Sequence, residues 1–224
     1  MDEVLDENSM NNSSEVRVLD NSGRAKNLIV AMSIFILAAV INAFFLNRQS
    51  TLLQSMLDGN MPSMAELESN DSMVSLFGVL ILIIRIVFIV FFMMWMRRAY
   101  ANLQRAGITT KSNDGEVIWC WFIPIYNFYK PVALVSEIWT QSQKVLKEIK
   151  PNFTVKTSLA IVGLWWTFYL GSSIFSGIAS SFYTNAYEAQ NITDLVSATN
   201  LTMYSVIGTI IAGVFAILLV REIN

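Results

Sequence analysis

An arginine inside an otherwise uncharged, helix-length run is the residue of this chain with the most to explain. Arg85 lies about twelve residues from each end of the apolar segment 73–96, too deep for its stem to carry the guanidinium to an interface. A central arginine in a membrane helix costs about 2.5–3.5 kcal/mol on translocon scales, so something must compensate it. One reading is an anion or headgroup site, or a conduction pathway, at the centre of a helix bundle. The other is an arginine satisfied by neighbouring carbonyls, Ser, Thr or Tyr. Glu137 is the only carboxylate inside any apolar segment and therefore the one ionic partner in reach of Arg85, if the segment holding it enters the membrane deeply. Its helical spacing with Gln141 and Lys144 favours a solvated face instead.

Other cations cluster beyond the same segment. Arg97, Arg98 and Arg105, with Lys130, are candidates to hold a phospholipid headgroup, although positive residues beside a span also simply follow the topology rule. Cys120 is the single cysteine and histidine is absent, which removes Cys–His nucleophiles, histidine proton relays and the usual zinc ligand sets from this sequence. The spans carry no aspartate for a two-carboxylate intramembrane protease, and P-loop, G-x-S-x-G and H-E-x-x-H patterns are absent. With a net charge of −2 the chain has no basic excess for nucleic acid. No cofactor is implied, and the composition leans away from an enzyme.

The elements that must position these residues are membrane helices. Apolar residues make up 54% and charged ones only 14%, too few for a water-soluble globule of this length. Residues 28–46 hold 19 positions without a charge, and about 20 helical residues cross a hydrocarbon core of about 30 Å. Segments 73–96, 155–180 and 201–220 supply three more spans, all free of proline. Residues 1–27, polar and acidic, read as a mobile cytoplasmic tail, and 28–224 as one four-helix transmembrane domain. Lys and Arg set the orientation. Three lie in the tail, nine between Arg97 and Lys156, and Arg221 follows the last span, whereas 47–72 hold only Arg48 and 181–200 none. Both termini are therefore expected on the cytoplasmic side of a cytoplasmic (inner) membrane.

Residues 117–139 would pass as a fifth span by hydropathy. Crossing there would invert the charge rule twice, and Pro124, Asn127, Lys130 and Pro131 interrupt its interior. The segment 117–149 is instead expected to form a re-entrant or interfacial helical hairpin on the cytoplasmic side. Its second arm places Val135, Ile138, Trp139 and Leu146 on one face, as in an amphipathic helix lying in the headgroup layer. All six tryptophans fall near the inferred cytoplasmic boundary, as anchors or, alternatively, as a stacking site for a base or sterol. Small residues recur in the third and fourth spans at Gly163, Gly171, Ser172, Ser176, Gly177, Ser205, Gly208, Ala212 and Gly213. Such spacing lets helices approach closely within one bundle or between copies.

The stretch WMRRAYANLQRAG (95–107) followed by WCWFIPIYNFYKPVALVSEIW (119–139) resembles a bacterial membrane family catalogued as domain of unknown function 4328. The shared features rest on Tyr100, Asn102, Trp121, Pro124, Asn127 and Pro131, and the likeness covers about 75–220. The resemblance implies a polytopic bacterial membrane protein and no reaction. The expected role is a binding, scaffold or accessory subunit, with a small channel or transporter around Arg85 as the alternative and an unknown membrane enzyme further off. Membrane lipids, an unidentified protein and a second copy are the partners this role allows.

Overall fold

The computed structural model describes residues 18–156 and 158–224. Its elements are all helical among those residues: α1 (Ser22–Leu57), α2 (Met64–Arg105), α3 (Glu116–Trp119), α4 (Pro124–Asn127), α5 (Lys130–Ile149), α6 (Ala160–Ala189) and α7 (Ile192–Ile223). Four of these, α1, α2, α6 and α7, are long and apolar enough to cross a membrane, and the chain is a multi-pass membrane protein. α5 is not among them, so the apolar run at 117–139 does not form a fifth spanning helix.

At several helix ends local chemistry satisfies orphan backbone groups. Asp20 accepts from Ser22 N–H at 2.8 Å ahead of α1. Ser63 and Glu66 form a reciprocal capping box on α2, and Asn191 accepts from Thr193 N–H at 2.9 Å on α7. α1 and α2 both end in a left-handed glycine, Gly59 at φ 81° and Gly107 at φ 77°, a conformation a Cβ would strain.

The helices outrun their apolar cores. α2 has 42 residues, about 63 Å at 1.5 Å per residue, roughly twice the thickness of a hydrocarbon core. α1 begins at Ser22, so residues 22–27 are helix rather than tail; residues 18–21 are a non-helical lead-in tied to α2 through Leu19 and Asn21, and residues 1–17 of the expected mobile tail lie outside the described residues. The third span begins at Ala160 and not at 155. The residues before it are held to α5, where Lys156 N–H donates to Gln143 Oε1 at 2.5 Å and its carbonyl accepts from Trp139 Nε1 at 3.3 Å.

Packing runs in the order α2, α1, α7, α6. The α6–α7 contact is a close one: a Cβ at Gly208 would meet Ser172 Cβ at 3.2 Å, and one at Gly213 would meet Ile36 of α1 at 3.1 Å. The small-residue pattern therefore splits, since Gly163, Gly171 and Gly177 have open space where a Cβ would stand and are not what brings these helices together.

One end of the bundle, where α1 begins and α2 ends, holds the protein's main core, and we call it the tryptophan end. Trp95, Trp139, Trp165 and Trp166 are all buried there. The rings of Trp95, Trp165 and Trp166 pack with those of Phe92 and Tyr169 at centroid distances between 5.2 and 6.5 Å, contacts worth about 0.5–1.5 kcal/mol per pair beyond burial. This corrects the expectation of interfacial anchors, because four of the six indoles face protein rather than lipid. α5 is corrected likewise. Its apolar face, Leu134, Val135, Ile138 and Trp139, is buried in the same core, against the ends of α2, α6 and α7, so its amphipathic stripe serves tertiary packing.

Candidate functional site

α2 and α6 do not pack along one another. Phe92 and Trp165, 6.0 Å apart, bridge them at the tryptophan end, and α1 and α7 close the back. The space between is a cleft of about 460 Å³ to which all four spanning helices contribute, within the range of small-molecule sites. Trp121, Phe122 and Asn127, from the turns around α3 and α4, roof it.

Arg85 lines this cleft. Its guanidinium carbon stands 5.8 Å from the centroid of the Phe35 ring, within cation–π reach. Among the described residues it has no carboxylate within ion-pair distance and no hydrogen-bond acceptor. Of the two readings of Arg85, satisfaction by neighbouring carbonyls and hydroxyls is thus not what the geometry provides. Phe35, Phe88 and Phe92, with Met32, Ile89 and Met93, make up the wall on its side of the cleft, and a strip of hydroxyls faces it from α6 and α7.

Ser172, Ser176 and Ser205 of that strip belong to the small-residue spacing that the sequence offers for close helix approach. Ser172, Ser173 and Ser176 share one face of α6, and Ser205 and Thr209 lie one turn apart on α7, all lining the cleft. Four of the five have their protons committed to backbone carbonyls: Ser172 and Ser173 to Tyr169 at 2.8 and 3.0 Å, Ser205 to Ser172 at 2.8 Å, and Thr209 to Ser205 at 2.9 Å. What they present to the cleft is acceptor lone pairs. The roof adds a buried indole N–H at Trp121 and a buried amide oxygen at Asn127, neither with a hydrogen-bond partner among the described residues. The signal for this lining was present, since Ser172 and Ser176 on α6 and Ser205 and Thr209 on α7 recur four residues apart.

Glu137 lies elsewhere. Its two oxygens accept from Tyr100 O–H and from Lys111 N–H, both at 2.9 Å, and Tyr100 O–H in turn accepts from Ser112 N–H at 2.9 Å. Tyr100 is fully buried. Glu137 therefore fastens the loop after α2 to α5, and no ion pair joins it to Arg85. The remaining cations also separate. Arg97 pairs with Asp114 at 2.8 Å on the surface. Lys130 pairs with Glu116 at 2.9 Å, both side chains less than one-fifth exposed. Arg105 reaches Asn102 Oδ1 at 3.4 Å, and Arg98 makes no ion pair among the described residues.

The motif residues distribute over these structures. Asn102 clamps the backbone of Leu19, Pro124 and Pro131 stand in the first turns of α4 and α5, where their missing N–H costs nothing, and Trp121 and Asn127 belong to the cleft roof. Cys120 is completely buried, and burial pushes its thiol up to about 11.

No curated protein sequence and no solved structure matches the chain. Residues 58–224 match the family described as Domain of unknown function (DUF4328), the stretch that contains the cleft roof, Arg85 and both hydroxyl-bearing helices, and the chain belongs to that family.

Proposed function

We propose that this protein is a non-enzymatic membrane binding protein, and that its cleft holds a single-chain anionic amphiphile with the anion at Arg85. The observation that carries the reading is an intramembrane guanidinium lining a mostly apolar cleft with no protein acceptor among the described residues. Intramembrane charges without a partner mark binding sites or pathways, and a guanidinium in low dielectric favours a carboxylate or phosphate over any neutral group. The aromatic wall takes the apolar body of the ligand.

The membrane is the cytoplasmic one and the tryptophan end faces the cytoplasm. This is supported by the 13 basic residues of the tail, the 97–156 region and the C-terminus, against one in the two opposite loops. Lipid contact by the region between α3 and α5 is supported by Phe122, Ile125 and Phe128, exposed at 74, 76 and 62%; the tip of the hairpin, rather than α5, dips into the bilayer.

The test uses the tryptophans of the cleft. A chain-brominated fatty acid added to the purified protein in detergent should quench fluorescence saturably, with reversal by the unbrominated acid. The corresponding alcohol should not, and Arg85→Leu should lose the saturable part. Equal quenching by acid and alcohol, unchanged in Arg85→Leu, would overturn the reading.

A further inference from the structure

On the opposite face of α2 a second groove runs between α1 and α2, lined by Val30 and Ile34 on one wall and Ile83, Val87 and Phe91 on the other, with Lys26 at its mouth. Its volume is about 440 Å³. From Lys26 to Ile34 it runs about 12 Å along the helix, close to half of a hydrocarbon core of about 30 Å. It is a groove of one-leaflet length. Val30, Ile34, Ile83 and Val87 are between 45 and 56% exposed, so its floor is open along the bundle's outer surface.

The head of the groove is cationic. Arg24 precedes Asn27, Ala31 and Ile34 at helical spacing, and Arg98 continues the wall stripe of α2 beyond Phe91 and Met94. Arg24 is anchored across the two helices, its Nη1 donating to the Met94 carbonyl at 2.9 Å. Arg97 has Asp114, and the carboxylate of Asp20 is taken up by Ser22 N–H and O–H, bonds that lower its pKa first, with the charge of Arg98 adding to them. Arg24, Lys26 and Arg98 have no ion-pair partner among the described residues.

We infer that this groove binds an anionic phospholipid of the leaflet at the tryptophan end, its phosphate held by Arg24, Lys26 and Arg98 and one acyl chain lying between α1 and α2. A zwitterionic lipid brings its own cation into the same cluster and is disfavoured. The headgroup site thus draws on Arg98 from the sequence-level set, while Lys130 and Arg97 are spent on Glu116 and Asp114.

The experiment is lipid retention by native mass spectrometry of the full chain, delipidated and returned to mixed micelles of phosphatidylglycerol and phosphatidylcholine. The wild type should retain phosphatidylglycerol selectively. Each cation near a membrane surface contributes about fivefold, so Lys26→Ala with Arg98→Ala should weaken retention about 25-fold, whereas Arg105→Ala with Lys147→Ala, equal in charge, should change it little. Val87→Trp, which keeps every charge and fills the groove, should also abolish selective retention, and it serves if the cationic pair fails to fold. Equal retention of the two lipids by the wild type, or equal loss in both charge pairs, would overturn the inference. Because the readout does not involve Arg85, its failure leaves the cleft reading untouched.

Discussion

The side-chain amide of Asn102 and the backbone of Leu19 exchange two hydrogen bonds, Nδ2 donating to the Leu19 carbonyl at 2.7 Å and the Leu19 N–H donating to Oδ1 at 3.1 Å. A side chain near the end of α2 thereby treats a residue 83 positions away as a strand would, fixing the approach to α1. Asn21 adds a third tie by donating to the Trp95 carbonyl at 3.2 Å. Asn102→Ala removes both partners of Leu19 and should cost about 1–3 kcal/mol. Hydrogen exchange should show the Leu19 amide losing protection while α6 and α7 keep theirs; unchanged protection at Leu19 would mean the clamp does not hold the segment.

The Lys130–Glu116 pair gives stability a defined pH window. Burial raises the Glu116 pKa, but the hydrogen bond of Lys130, the neighbouring Ser112, the charge of Lys130 and the Asn113 backbone together outweigh it and leave the carboxyl below its ordinary value of 4.5. Lys130 is raised above 10.5, chiefly by its bond to Glu116. A depressed acid contributes stability that is full above its unfolded pKa and is lost as pH falls through the folded one, and a raised base contributes stability lost as pH rises through its folded value. Melting temperature should therefore be flat at neutral pH, falling below about pH 4.5 and above about pH 10.5. Glu116→Gln should flatten the acid limb and, by leaving Lys130 partly buried and unpaired, cost about 1–2 kcal/mol at neutral pH.

Much of this arrangement could be read from the chain, and the failures share a cause. Four apolar runs gave the spanning helices because a helix in lipid satisfies its own backbone and needs no partner to be recognised. Hydropathy marks where lipid begins, not where hydrogen bonding stops, so the helix ends at Ser22, Leu57 and Arg105 depended on caps outside the apolar windows. The α5 stripe and the tryptophans were misassigned because an apolar face looks the same whether it meets headgroups or the ends of other helices. Arg85 stood out by its cost alone. Its cleft did not, because the Ser172, Ser205 and Thr209 lining reads equally as close packing, and only the standing apart of α2 and α6 beyond their Phe92–Trp165 bridge separates the two.

Topology is open to direct measurement with the native cysteine in place. Cys120 is inaccessible, and its thiol, pushed up to about 11, holds almost no thiolate at neutral pH. An impermeant maleimide should leave the wild type unlabelled in sealed cells and label it only after denaturation. Introduced at the exposed positions Asn60 and Glu188, cysteine should react from outside, and at Lys111 only after permeabilisation. Ser112 is a poor probe site, being buried with its N–H on Tyr100. Labelling of Lys111→Cys in sealed cells would reverse the orientation.

Arg85 separates need from tolerance most sharply. Because it donates to no described acceptor, Arg85→Leu orphans nothing; what is lost is the contact over Phe35 at 5.8 Å, worth about 0.5–1 kcal/mol at an exposed site and more when desolvated. Against this stands relief of the cost of a charge at lipid depth, about 2.5–3.5 kcal/mol. The ligand-free protein in detergent should therefore melt no lower as Arg85→Leu than as wild type. Arg85→Lys keeps the charge without the planar fork and should retain part of the saturable quenching by a brominated fatty acid, which Arg85→Leu loses. A ligand-free Arg85→Leu protein that melts well below wild type, yet binds the acid normally per folded molecule, would make the arginine a tie within the bundle instead of the anion site of the cleft.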